Sequence, residues 1–174
     1  WVVNSLLEAR PISLLEKFDV QKWAAAVEKY QIRVCSLVPA MINMVLESDL
    51  ASEKLASLIC IRSGTAPLPA QTQSTFEQRF SLPILPTYGA TEFSGAVCGW
   101  TMPMKKQFGD SKVGSVGQAY DGVDLRIIDR SSGELLPIGE TGILQVRSSQ
   151  MMEGEDWVAP TYLAYIDADD FIWL

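Results

Sequence analysis

Apolar residues in the first half of the chain fall into short runs, and between these runs they recur at helical spacing. After Pro11, residues 12–15 form a brief apolar run that predicts a strand. Asp19 stands where an N-cap belongs. Val20, Trp23, Ala24, Val27 and Tyr30 then recur at helical spacing, which predicts a helix over residues 20–30. Residues 32–38 form an apolar strand candidate, and Pro39 suits the first turn of a helix running to Glu47. Residues 58–62 are a further short strand, ending at Ser63-Gly64. Pro69 opens a helix through Phe80, and residues 83–85 are strand-like again.

The second half changes character. Residues 102–113 are polar, with Lys105, Lys106, Gly109 and Asp110, and read as a loop in which the two lysines are solvated. Residues 123–129 alternate, Ser131-Ser132-Gly133 makes a turn, and residues 142–147 alternate in their turn. Residues 163–166 and 171–174 flank the turn Asp167-Ala168-Asp169-Asp170. These segments predict antiparallel hairpins.

Strands separated by helices of about 10–12 residues imply a parallel sheet covered on both faces. The expected fold is therefore α/β. A first lobe, residues 1–105, carries a parallel sheet flanked by helices, and a smaller antiparallel β lobe follows in residues 106–174. The boundary falls in the loop near residues 103–113. Ligands in open α/β sheets bind beyond the carboxyl ends of the strands. Two loops are so placed: Ser63-Gly64-Thr65-Ala66-Pro67, and Thr87 through Glu92.

Composition narrows the possibilities. The 174 residues are 48% hydrophobic and 20% charged, ordinary for a folded protein with a real core. A net charge of -7 attracts neither nucleic acid nor anionic membranes, and an anionic ligand must rely on local dipoles and a metal. The absence of histidine excludes Ser-His-Asp and Cys-His catalysis by this chain alone. Cys35, Cys60 and Cys98 each lie in an apolar run and read as small buried side chains, and a reduced cytoplasmic compartment follows as the default. No apolar run approaches the ~18 residues that span a bilayer. The opening Trp1-Val2-Val3-Asn4 has neither an initiator Met nor a basic leader and reads as an internal cut. Trp23, Met41, Met44 and Trp100 read as core, and the aspartates at 167, 169 and 170 as a hairpin turn rather than a calcium loop.

The chemistry concentrates in Tyr88-Gly89-Ala90-Thr91-Glu92. An aromatic face can stack on a base, for about 1–3 kcal/mol. Glycine admits a ligand close to the backbone. A threonine hydroxyl can donate to a phosphate oxygen, and a glutamate is a hard ligand suited to Mg²⁺. On its own this pentapeptide is equally a strand-ending turn.

It also resembles the Tyr-Gly-x-Thr-Glu motif of the adenylate-forming superfamily, which includes acyl-CoA synthetases, luciferases and the adenylation domains of peptide synthetases. Ser63-Gly64-Thr65-Ala66-Pro67-Leu68 resembles that family's Ser-Gly-Gly-Ala-Pro-Leu loop, and Leu37-Val38-Pro39-Ala40-Met41 its Val-Pro-Thr stretch. Gly114-Ser115-Val116-Gly117-Gln118, Gly122-Val123, Gly133-Glu134-Leu135 and Gly139-Glu140-Thr141-Gly142 follow in the family's order. Trp157, Leu163-Ala164-Tyr165-Ile166-Asp167 and Phe171-Ile172-Trp173-Leu174 resemble the block closing its large domain.

The resemblance implies an acid–thiol ligase. MgATP and a small carboxylic acid would give an acyl-adenylate and pyrophosphate, and CoA or a carrier phosphopantetheine would then take the acyl group. It implies that Gly64, Thr65, Ala66 and Pro67 line the adenine side, that Thr87, Tyr88, Gly89 and Ala90 form the opposite wall with Tyr88 stacked on adenine, that Thr91 bonds the α-phosphate, and that Glu92 holds Mg²⁺. Thr91 and Glu92 would be its catalytic residues. The family's glycine-rich phosphate loop would precede this chain and its lysine-bearing lid would follow, so the isolated chain is expected to be inactive. Two departures stand out. The aspartate with which the family grips both ribose hydroxyls aligns with Tyr162, and residues 148–157 are shorter than the family's stretch. Either residues are missing from that stretch or the lobe has degenerated, which leaves a non-catalytic nucleotide-binding or interaction module as the alternative function. An adenylation domain that loads a carrier protein is a third possibility.

Overall fold

The computed structural model describes residues 6–9, 11–109, 111–149, 151, 157–160 and 162–174. The chain start at residues 1–4, Asp110 and most of the short stretch at 148–157 lie outside the described residues. Helix α1 (Val20–Tyr30) starts at Asp19, whose side chain accepts the Lys22 N–H at 2.9 Å, and it buries Trp23, Ala24 and Val27. Strand β1 (Val34–Ser36) leads to α2 (Pro39–Glu47), with proline in its first turn and Ile42 and Val45 buried. The last carbonyls of α2 and the turn after it are satisfied from outside, because the Arg79 guanidinium donates to the carbonyls of Leu46, Ser48 and Leu50. Strand β2 (Cys60–Ser63), α3 (Ala70–Phe80) and β3 (Ile84–Ala90) complete the alternation.

Strands β1, β2 and β3 are parallel, as the alternation predicts. The sheet is nevertheless mixed. After a 3-10 turn at Thr91–Phe93, β4 (Gly95–Gly99) returns antiparallel to β3, and β5 (Gln118–Ala119) pairs antiparallel with β4. The pairing with β4 is what extends β3 through Thr87 to Ala90, so those residues are strand rather than loop. The second sheet is antiparallel, in the order β6 (Val123–Ile128), β7 (Gly142–Ser148), β8 (Leu163–Ile166), β9 (Ile172–Trp173).

Three expectations are corrected. Residues 12–15 are not a strand: they pair with nothing among the described residues, and Leu14 is 71% exposed. Residues 102–108 are not a loop but a helix, α4 (Met102–Phe108), because the Thr101 hydroxyl accepts the Met104 N–H and Pro103 is tolerated in the first turn. Lys105 on that helix is not solvated. It pairs with Glu77 of α3 at 2.8 Å, both side chains less than a fifth exposed, and Glu77 also accepts the Ile84 N–H of β3. Met44 is likewise not core, at 45% exposure, whereas Trp23 and Trp100 are buried.

Two clusters cover the first sheet. Trp23, Val27, Ile42, Val45, Phe76 and Phe80 from the helices pack with Ile61 and Ile84. Cys60 and Leu85 pack with Trp100 and Phe171, bordered by Met102, Met104 and Phe108 of α4. A third cluster joins the sheets, with Tyr88, Phe93 and Val97 packing with Ile127, Leu144, Val146 and Ile172. The cysteines are free and lie in β1, β2 and β4, and burial pushes the Cys35 and Cys98 thiols up to about 12. Among the described residues no helix is long and apolar enough to cross a membrane.

Candidate nucleotide-binding cleft

The register of the parallel pair sets the site. Ser63 lies beside Pro86, so the turn leaving β2 runs against the last residues of β3. At Gly64 a Cβ would stand 3.0 Å from the Thr87 carbonyl oxygen. The two segments enclose a cleft of about 110 Å³, lined by Ser63, Thr65, Ala66, Pro67 and Leu68 on one side and by Pro86, Thr87, Tyr88 and Gly89 on the other. Gly114, Ser115 and Val116 form a third wall, and Tyr162 and Leu174 complete the lining. The cleft therefore gathers Thr65, Ala66, Pro67, Thr87, Tyr88 and Gly89 from the sequence-predicted set. Gly64 is half-buried behind the wall and Ala90 lies one step beyond it. Thr91 and Glu92 are exposed in the 3-10 turn that follows β3.

The third wall is held from two directions. Trp100 Nε1 donates to the Ser115 carbonyl at 3.0 Å, and the Val116 N–H donates to the Ile172 carbonyl at 2.9 Å. Gly114 adopts φ +98, and a Cβ there would face Trp173 of β9 at 3.7 Å. Just before it, Lys112 pairs with Asp167 at 2.9 Å and with Asp169, which ties this wall to the β8–β9 hairpin. That role accounts for the aspartate cluster, and among the described residues no group of three or more metal-ligating side chains occurs.

Among the described residues no charged side chain lines the cleft, but its polar groups are unusual. The hydroxyls of Ser63, Tyr88 and Ser115 are buried and find no hydrogen-bond partner among the described residues. Most buried polar groups are paired, so three orphans around one cleft mark a place where a ligand or water supplies partners. Burial pushes the Tyr88 phenol far up, reinforced by Tyr162, Cys98 and Glu92, so Glu92 is close enough for its charge to be felt. Ser63 and Ser115 lie in stretches that the sequence singles out, but neither hydroxyl is assigned a role there. Ser63 follows Arg62 and Ser115 follows Gly114, and only the fold shows that both residues line one cleft with hydroxyls that are buried and unpartnered.

Thr65 carries the site's backbone strain. Its φ of 72 is left-handed, which costs a β-branched residue about 1–2 kcal/mol. This explains why the motif that the loop resembles has glycine there. Thr65→Gly is expected to stabilise the fold by about 0.5–1 kcal/mol after the entropy cost of glycine in the unfolded chain. Chemical denaturation measures it, and a loss of stability would show that the strain lies elsewhere.

Known proteins place this geometry in context. A 4-coumarate–CoA ligase-like protein of Arabidopsis thaliana is 30% identical over 192 residues, covering 99% of this chain and 33% of its own length. The luciferase-like enzyme of the mealworm Zophobas morio superposes with a TM-score of 0.88 at 21% identity, covering 97% of this chain and 44% of that one. The o-succinylbenzoate coenzyme A synthetase of Bacillus subtilis, solved in complex with ATP and magnesium ion, gives 0.82 at 20% identity, covering 99% and 37%. The chain thus spans only about a third to under a half of the length of these proteins. Residues 3–154 match the AMP-binding enzyme family, and the chain belongs to that family.

Proposed function

We propose that the chain is the nucleotide-binding part of an acid–thiol ligase that activates a carboxylic acid with ATP and passes the acyl group to CoA. The observation that carries this reading is the convergence of the turn after β2 and the last residues of β3 on one cleft with three unpartnered buried hydroxyls. In it, Tyr88 offers its ring to adenine, while Gly64, Thr65, Ala66 and Pro67 border the base from the β2 side. Thr87, Gly89 and Ala90 keep the β3 wall thin enough for close approach. Thr91 donates its hydroxyl to the α-phosphate, and the carboxylic acid attacks that phosphorus and expels pyrophosphate. CoA is the preferred acceptor because the curated relatives are CoA ligases.

Glu92 fits a magnesium role. It is one exposed carboxylate beside the cleft, and Mg²⁺ is ordinarily held by one or two carboxylates with substrate phosphates and water supplying the rest. When bound, the ion neutralises phosphate charge around the reacting phosphorus. Glu92→Ala is expected to weaken binding of a non-hydrolysable acyl-adenylate or ATP analogue about tenfold in Mg²⁺ and to leave it unchanged in chelator. Equal calorimetric affinities of wild type and Glu92→Ala in Mg²⁺ would remove the metal role. A nucleotide-binding module without turnover is the second reading, favoured by an uncharged Tyr162 in the cleft wall where the family resemblance implies a ribose-gripping carboxylate.

A further inference from the structure

The cleft is small for the ligand it is proposed to take. Clefts that bury drug-sized ligands and cofactors run to about 300–1,000 Å³, against about 110 Å³ here. Tyr88 is also covered. It is only 8% exposed, which leaves no ring face open for a planar group.

Two rings cover it. Phe93 meets it at 6.3 Å between centroids and 64°, and is itself fully buried in the core that joins the sheets. Tyr162 meets it edge to face, at 5.9 Å and 89°, and is 49% exposed. Phe93 cannot leave without opening the core, whereas Tyr162 can. The backbone at Tyr162 is tied down, since its carbonyl accepts the Leu144 N–H at 3.4 Å and the next residue, Leu163, pairs with Ile143. Withdrawal of Tyr162 is therefore a side-chain rotation into solvent, with the strand left in place.

We infer that Tyr162 is a removable plug of the cleft: its ring occupies the space beside Tyr88 that a planar heteroaromatic ligand must take, and binding requires that ring to swing out. The inference rests on the nucleotide reading for the identity of the ligand but not for the plug itself. Tyr162 is thus a specificity-determining residue. It penalises every planar ligand by the free energy of the Tyr88–Tyr162 contact, and only ligands that regain more than this on Tyr88 and the orphaned hydroxyls of Ser63 and Ser115 enter.

The test uses Tyr162→Ala and Tyr162→Phe of the 174-residue chain with two readouts. The first needs no ligand: nitration of Tyr88 by tetranitromethane, followed by peptide mass spectrometry. Tyr88 is expected to react several-fold faster in Tyr162→Ala and at the wild-type rate in Tyr162→Phe, which keeps the ring. The second is calorimetric binding of adenosine, expected to tighten about tenfold in Tyr162→Ala, the measure of one aromatic pair. Unchanged Tyr88 nitration in Tyr162→Ala overturns the plug. So does weaker adenosine binding in that variant, which would make Tyr162 a ligand contact. Faster nitration with no adenosine bound by any variant leaves the plug standing and removes the nucleotide reading instead.

Discussion

Gly89→Ala is expected to lower stability by about 3 kcal/mol, because the added methyl group has nowhere to go. At Gly89 the β3–β4 ladder shifts register, and the partner strand comes unusually close. A Cβ there would overlap the Gly95 carbonyl oxygen, lie 2.6 Å from the Ala96 Cα and 2.7 Å from the Gly95 carbonyl carbon. All three atoms are backbone, so no side chain can rotate aside and β4 itself must move. For a chain of this length the loss corresponds to roughly 6–12 °C in Tm. The shift would also reach the cleft, since Gly89 lines it and its neighbour Tyr88 packs with Val97 and Cys98. Nucleotide affinity should therefore fall together with Tm. A Gly89→Ala protein that melts with the wild type would mean that the strands do not approach this closely.

What the sequence made legible follows from how local each signal is. Helix α1 announces itself because the cap, the spacing of Trp23, Ala24 and Val27, and the final turn all lie within a dozen residues. Strands β2 and β3 are visible as apolar runs because both of their faces are largely buried, whereas β1 shows as a run although it is an edge strand with Val34 and Ser36 exposed, and the ends of all three depend on partners that the runs do not name. The hairpin of β3 with β4 was hidden: its connection is a 3-10 turn closed by Ser94 in a left-handed conformation, without an Asn-Gly signal, and β4 is glycine-rich. Helix α4 was hidden by Lys105, Lys106 and Gln107, whose polarity suggests a loop until Glu77 is seen across from Lys105. For residues 12–15 the reverse holds, since an apolar run reads as a strand whether or not a neighbour exists to pair with it. The cleft was legible in outline, because parallel topology puts the turn after β2 beside the end of β3, although the stretch from Thr87 to Ala90 proved to be strand rather than loop. Its third wall was not, because Gly114 to Val116 are held there by Trp100, by Ile172 and, through Lys112, by Asp167, each far away in sequence.

Asp167→Ala should prove nearly as damaging as Gly89→Ala, by about 3 kcal/mol at neutral pH, and should do so by orphaning donors. Asp167 Oδ1 accepts the N–H groups of Asp169 and Phe171, each at 3.0 Å, and Oδ2 accepts Lys112 Nζ and Trp173 Nε1, each at 2.9 Å. The carboxylate is 17% exposed, so water cannot freely replace it, and each donor left unpaired costs about 1–3 kcal/mol where it is buried. Burial opposes ionisation of Asp167, but the hydrogen bonds from Lys112, Trp173 and the two backbone groups together hold its pKa below the usual value. A depressed carboxylate pKa adds stability above the unfolded value of about 4, and that stability is lost as pH falls through the folded value. The Lys112 pKa is raised by its hydrogen bonds to Asp167 and Asp169, so its contribution holds below about 10.4 and is lost as pH rises through its folded value. Wild type and Asp167→Ala should thus differ most between about pH 4 and 10 and converge in acid. The same substitution releases Trp173, which packs beside Gly114, so intrinsic tryptophan fluorescence should change and the third wall should loosen. Urea titrations at pH 3 and pH 7, read by fluorescence, measure both effects. A difference between the two proteins that is the same at both pH values would show that the charged acceptor is not what fastens the hairpin to the cleft.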